Sequence, residues 1–415
     1  MTEKRDCSGT GLDRWIFLFL MIVCLILPKK ILAETRNEAF QLLPDSSNFV
    51  TVSMLVTSPT DNLYSVFGHA TLRLECPIHQ LDYVFTFESD TDVGTFMTGV
   101  AGKAIARYVA VPAQEFLDHV KTEGRGTKQY ELALTLHEKQ DLWRLLDEDM
   151  MRGGYRHFNL LLTNCLSSSM MKVRESLHDE YIDWGEPRFP YTLCNGDSFR
   201  YTVRNHPWVE FLFVTVVGTI YDEYTQPDLR LAPELVVPMM QQAQIVNLKT
   251  GERRPMLTGK TETLIEAKVV PKPSVITPMW AFGVLLALAI LITVAEHLCK
   301  LSFVPRAFDA ILLMGQTFLG LLLLFVTFYS ELFGSTWNWY LIVFNPIPLL
   351  LWLFGRKKRW YKQVFGIYAV VLLLFLLATP LLPVLDAPHQ LITATMLIRC
   401  VNQYTIFNKL KILTK

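Results

Sequence analysis

Apolar and polar positions alternate along VFGHATLRL at 66–74. Val66, Gly68, Ala70, Leu72 and Leu74 fall on one face, and Phe67, His69, Thr71 and Arg73 on the other, the period-two signature of a half-buried strand. The next run, LDYVFTFES at 81–89, sets Leu81, Tyr83, Phe85 and Phe87 against Asp82, Val84, Thr86 and Glu88 in the same rhythm. With PIHQ at 77–80 as the turn, the two runs predict an antiparallel hairpin that places His69 opposite Glu88 and Thr71 opposite Thr86. Further on, Thr163 or Asn164 can cap a helix that starts at Cys165 and spaces Met170, Val173 and Leu177 along one side.

After Pro273 the pattern changes to long apolar runs, at 275–294, 308–328, 339–354, 364–385 and 391–407. Most come close to the roughly 20 residues that cross a hydrocarbon core of about 30 Å, so about five transmembrane helices are expected. The third is short and carries Pro346 and Pro348, and the fifth contains Arg399. Basic residues occupy alternate turns: Lys300 and Arg306 after the first run, RKKRWYK after the third, and Lys409, Lys411 and Lys415 after the fifth. The positive-inside rule then puts the C-terminus in the cytoplasm and the preceding soluble domain outside. At the other end, RWIFLFLMIVCLILPKKILAET has a basic flank and a short apolar core, so residues 1–33 read as a signal peptide cleaved after Ala33 or as an N-terminal anchor. The expected organisation is an exported domain at 34–260, a linker or strand at 261–274, and a membrane domain at 275–415.

Charge is balanced, with 39 basic and 39 acidic residues, so nothing directs the chain toward nucleic acid. Of seven cysteines, three lie in the exported domain: Cys76, Cys165 and Cys194. An odd number in an oxidising compartment leaves a thiol over. Cys165, at a helix start where unpaired N–H groups and the dipole favour a thiolate, is the candidate nucleophile. Cys76 and Cys194 are left to pair as a disulfide or to stay as small buried groups. A thiol nucleophile needs a base, for which His69 is the candidate, and a base needs an orienting group, for which Glu88 and Thr86 compete. His137, His157 and His178 show no cysteine or carboxylate at metal-ligand spacing, so no metal is expected. GVAGKA at 99–104 lacks the glycine spacing and final Ser or Thr of a phosphate loop. No cofactor is called for.

A cysteine-headed helix against a histidine-bearing sheet is the layout of papain-like thiol enzymes. Here the histidine precedes the cysteine, as in circularly permuted relatives, which include lipid acyltransferases. The expected fold is therefore α+β: an exported, circularly permuted papain-like (NlpC/P60-like) domain followed by an all-α membrane domain.

The chain resembles the thiol-dependent lipoprotein N-acyltransferases of the Lnb type. The resemblance rests on SVFGHATLRL at 65–74, VGTFMTGVAGKAIARYVAVPAQEF at 93–116, YELALTLHEKQDLWRLL at 130–146, YRHFNLLLTNC at 155–165, GTIYDEYTQPDLRLAPELVVPMM at 218–240 and WNWYLIVFNPIPLL at 337–350. It implies acyl transfer at the outer face of the inner membrane, with membrane lipids as acyl donor, diacylated lipoproteins as acceptor, Cys165 as nucleophile and His69 as base. Ser65 and Asn164 fall within the motifs as orienting or oxyanion candidates, and Tyr155 and Asp222 occupy other motif positions. The family commonly has a glycine near Glu88, a departure that weighs against Glu88 as the orienter. Two other functions use the same residues differently: a cell-wall thiol peptidase or amidase, and a non-catalytic envelope scaffold or sensor with a structural cysteine.

Overall fold

The computed structural model describes residues 50–61, 65–89, 98–159, 162–185, 195–217, 232–269, 274–331, 337–355, 360–379 and 386–413. The leader at 1–33, Cys194 and Asp222 lie outside the described residues.

Ten strands fall into two sheets. The larger joins β1 (Thr51–Thr57), β2 (His69–Cys76), β3 (Leu81–Glu88), β4 (Ile105–Pro112), β5 (Thr127–Leu132), β6 (Arg156–His157) and β10 (Leu257–Ile265) in the order β10-β5-β1-β2-β3-β4-β6. The smaller is β7 (Glu180–Asp183), β8 (Gln244–Asn247) and β9 (Arg253–Pro255). The alternation read from sequence is physical: Ala70, Leu72 and Leu74 are fully buried. The opposite face is less open than a half-buried strand implies, because Thr71 and Thr86 are also buried. Helix α1 (Ala113–Thr122) covers one face, packing Ala113, Phe116 and Val120 on Leu55 and Val84. Helices α2 (Leu136–Met151) and α3 (Cys165–Ser176) cover the other, where Trp143 meets Phe85 edge-on. Residues 261–265, the first five of the expected linker, belong to β10 and extend the sheet beyond β5.

Pairing of β2 with β3 has the register expected, from Leu72 opposite Phe85 to Cys76 opposite Leu81. The ladder is shorter than the sequence pattern, however. His69, Ala70 and Thr71 pair with β1 only, opposite Thr57, Val56 and Leu55. The sheet is therefore open between β2 and β3 at the histidine end. Gly68 makes the entry into β2 possible: its φ is +76°, and a Cβ there would lie 2.9 Å from the Thr57 carbonyl oxygen.

Helices α4 (Asn195–Thr202), α5 (Pro207–Val217) and α6 (Pro233–Gln242) precede the membrane half. There, three helices are long and apolar enough to cross a bilayer: α7 (Pro278–Cys299), α8 (Phe303–Phe328) and α9 (Tyr361–Ala378). Among the described residues, two of the five expected runs do not meet these terms. The third expected span is bent, passing through a 3-10 turn at Trp339–Ile342, a short helix at Ile347–Leu350 and a π-turn at Leu351–Gly355. Its prolines interrupt the helical hydrogen bonds, and Gly320 of α8 admits its backbone so closely that a Cβ would lie 2.8 Å from the Asn345 Cα. The fifth is a continuous helix, α10 (Ala387–Leu413), but polar residues interrupt its apolar character. Arg399 is the reason: its guanidinium bonds Asp309 through Nε at 2.6 Å and Nη2 at 2.9 Å, and reaches Glu296 at 3.1 Å and Thr293 at 2.8 Å. Asn402 and Gln403 donate to the same two carboxylates. One arginine thus ties α10 to α7 and α8.

The two halves are joined by α5. Phe211 and Val214 belong to one buried cluster with Tyr340, Phe365 and Ile392. His389 stacks between Phe211 and Tyr340 and bonds Thr215 Oγ1 at 2.8 Å. A second tie runs from the sheet domain's 98–101 turn, where the Val100 carbonyl accepts from Ser330 Oγ at 2.7 Å.

Candidate active site

Cys165 is the first residue of α3, as its spacing predicted. Asn164 is the cap: its Oδ1 accepts from the Ser167 N–H at 2.9 Å, and Ser167 Oγ returns the bond to the Asn164 N–H at 2.8 Å. This reciprocal pair fixes where the helix begins. The side chain named as an orienting candidate thus has a local task. Behind it, Tyr108 of β4 donates to the Ser168 carbonyl at 2.6 Å, anchoring the first turn of α3 to the sheet.

The open edge of β2 receives this helix start. The backbone N–H groups of Ala70, Leu166 and Cys165 itself lie close enough to the Cys165 sulfur to favour its thiolate. Ala70 follows His69 directly, so nucleophile and base candidates, 96 positions apart in sequence, are neighbours through one peptide unit. No hydrogen bond links the sulfur to the imidazole among the described residues. His69 Nε2 instead meets Thr86 Oγ1 at 2.7 Å, and Thr86 Oγ1 donates to Glu88 Oε1 at 2.9 Å. Glu88 Oε1 itself stands 3.9 Å from the imidazole. Of the two competing orienters, Thr86 touches the ring and Glu88 stands behind it.

The electrostatics depart from the sequence reading. Burial pushes the Cys165 thiol up, outweighing the three N–H groups and the nearby Arg125 charge that favour a thiolate. Burial, reinforced by Arg125, brings His69 down to about 4. At neutral pH the site holds a thiol and a neutral imidazole, rather than the thiolate that a helix N-terminus alone favours.

Arg125 carries no motif, and spacing gave no reason to select it. It is 7% exposed on the turn before β5. Its Nε donates to the Ser58 carbonyl at 2.8 Å and its Nη1 to Glu123 at 3.1 Å. The sequence signal was an arginine between two glycines. Gly124 has φ +72°, and a Cβ on Gly126 would come within 2.8 Å of the Ala267 nitrogen.

The remaining candidates separate. Ser65 shapes the turn before His69, its Oγ 2.6 Å from Thr60 Oγ1 and its carbonyl accepting from Gly68. Tyr155 is exposed and receives Arg107 at its hydroxyl, 3.1 Å away. Cys76 is a free thiol that ends β2 with its side chain packed in the core, the second of the two states expected for it.

Folding also brings together histidines that sequence spacing left without partners. His137, Asp141 and His178 hold their donor atoms within 4.8 Å of one another. The expectation that these histidines have no carboxylate is corrected: Asp141, one helical turn after His137, bonds His178 Nε2 and, on its other oxygen, accepts from Arg144 at 3.2 Å, while His137 Nδ1 lies 2.9 Å away. Two imidazoles and a guanidinium gather around one carboxylate there.

A helix-capped cysteine beside a histidine on an open strand, carried by a domain packed on apolar helices, defines a membrane-anchored protein of cysteine–histidine type. Family models agree on both halves: residues 44–181 match the Lnb N-terminal periplasmic domain and residues 271–411 the Lnb transmembrane domain. The chain belongs to the Lnb family and is a membrane protein with a periplasmic domain. Searches of curated proteins and of solved structures returned no match.

Proposed function

We propose that the protein is a lipoprotein N-acyltransferase that moves an acyl chain from a lipid ester, through a thioester on Cys165, to the α-amine of a lipoprotein's N-terminal lipidated cysteine. The observation that carries this reading is the Cys165 sulfur lying against the N–H of Ala70, next to His69, in a domain of the Lnb periplasmic family. The order of histidine before cysteine suits a permuted papain-like arrangement, and the bent 339–355 segment and α10 are taken as further membrane-embedded elements of an inner-membrane domain with its C-terminus in the cytoplasm.

In the first half-reaction Cys165 Sγ attacks the ester carbonyl as its proton passes to His69. Thr86 engages Nε2, so Nδ1 is the nitrogen left for that proton. The tetrahedral intermediate collapses, the C–O bond breaks, and His69 returns the proton to the departing lyso-lipid alkoxide. In the second, the neutral acceptor amine attacks the thioester, His69 takes its proton, and the thiol is regenerated as the amide forms. The α-amine, with an ordinary pKa near 8, supplies enough neutral form at pH 7. Backbone N–H groups at the start of α3 are the nearest donors for the oxyanion.

Fixing the periplasmic domain on membrane helices favours this reading over a cell-wall peptidase, because both proposed substrates present their reactive groups at the bilayer surface. The test is mass spectrometry of a lipoprotein's N-terminal peptide after a diacylated substrate and phospholipid are incubated with the purified protein. Wild type is expected to add one amide-linked acyl chain and Cys165→Ala none. A folded wild-type protein that adds none would overturn the proposal, and a Cys165→Ala variant that still adds it would remove the thioester.

A further inference from the structure

Arg125 is a buried cation whose hydrogen bonds are incomplete. Its Nη2 is buried and has no hydrogen-bond partner among the described residues. Buried donors are rarely left unpaired, so such a group marks a place where something outside the protein completes the set. Its one carboxylate partner, Glu123, is itself 34% exposed, which weakens its neutralisation of a guanidinium that is only 9% exposed.

Its position ties it to the reacting pair. Arg125 Nε is held by the carbonyl of Ser58, and Ser58 follows Thr57, the residue directly opposite His69 in the β1–β2 register. On its other side Thr57 pairs with Thr127, two residues after Arg125, and the two hydroxyls meet at 3.0 Å. The guanidinium is thus held one residue beyond the row of the sheet that carries the imidazole. Its charge reaches both groups, acting on Cys165 as well as on His69.

We infer that Arg125 forms an anion-binding subsite beside Cys165 and His69 that receives the phosphate of a phospholipid acyl donor through Nη2. This rests on the acyltransferase reading and specifies its donor. A planar guanidinium suits phosphate oxygens in geometry and charge. In a glycerophospholipid the phosphate is separated from the ester carbonyls by the glycerol carbons alone, so one molecule can place its phosphate at Arg125 and an ester at the thiol. The acceptor is excluded as the occupant: its protonated α-amine is repelled by the same cation, and its diacylglyceryl group carries no phosphate.

The test separates binding from catalysis by using a ligand with no ester to cleave. Dodecyl phosphate is titrated into the full-length chain in a neutral maltoside detergent, with dodecanol as the uncharged control. Wild type is expected to prefer the phosphate, and Arg125→Gln to lose about tenfold to a hundredfold in affinity for it while binding dodecanol as wild type does. Arg125→Lys keeps the charge but loses the fork, and an intermediate loss is expected; it also serves if Arg125→Gln fails to fold. Equal losses for both ligands, or no preference for phosphate in wild type, would overturn the subsite. If the phosphate binds as expected but no lipoprotein is acylated, the function proposed above falls and the subsite stands.

Discussion

In the proposed reaction His69 and Cys165 set the chemistry at the residue scale, and their environment sets its pH dependence. Burial and Arg125 bring the imidazole to about 4, below its ordinary 6.5, so it is available as a base until the pH falls near 4. Burial raises the thiol, so the neutral thiol that the general-base route needs persists above its ordinary range. The release of lyso-lipid that accompanies thioester formation is therefore expected to be flat from about pH 5 to pH 8, with its acid limb near 4. A limb at about 6.5 in single-turnover measurements would mean that the histidine is solvated. The same shift bears on stability: because the folded pKa is depressed, protonation favours the unfolded chain. The contribution of His69 is complete above about pH 6.5 and is lost as pH falls toward 4. His69 and Cys165 were legible in sequence because a lone histidine interrupts a regular strand and a cysteine starts a regular helix. Thr86 was legible as one of two orienter candidates, and only its contact with the ring separates it from Glu88. Arg125 was not legible, since the carbonyl that holds its Nε is 67 residues away at Ser58 and its unpaired Nη2 is a property of burial.

At the scale of the element, α3 carries the proposed nucleophile, and its placement depends on the cap, the open edge of β2 and Tyr108. The Tyr108 hydroxyl spans from β4 to the Ser168 carbonyl, one turn into the helix. Tyr108→Phe removes that bond and leaves a buried carbonyl short of a partner, at a cost of about 1 kcal/mol. Thermal unfolding is expected to move down by a few degrees, and thioester formation to slow severalfold as the helix start loosens. A full rate with the lowered melting temperature would show that the Asn164–Ser167 box alone positions Cys165. The cap and the helix could be read from local spacing. The shortened β2–β3 ladder could not, because alternation continues through His69 whether or not a partner strand is present.

For the whole molecule, the question is how a soluble domain is held at a membrane surface. The ties are Phe211 and Val214 of α5 in the membrane cluster, His389 between Phe211 and Tyr340, and Ser330 on Val100. Within the membrane half, Arg399 pairs with both Asp309 and Glu296. Arg399→Ala leaves two carboxylates unpaired in a buried site, and breaking such a pair costs about 3–5 kcal/mol. The variant is expected to melt markedly lower in detergent and to lose acylation through loss of the folded membrane half. Unchanged melting would show that the α7–α8–α10 contact is held by packing alone.

Sequence by itself determined the division into a mixed-charge domain and an apolar half, the strand bearing His69, the helix starting at Cys165 and the β2–β3 register. Each follows from a local period, 2.0 for strands, 3.6 for helices, or the length of an apolar run. Tertiary structure alone decided where β2 loses its β3 partner, which orienter touches the imidazole and that Cys76 stays a free thiol. It also decided that the expected third span bends and that Arg125 stands beside the thiol with a donor to spare. These depend on which distant residues come together and how far water is excluded, and no local period records either.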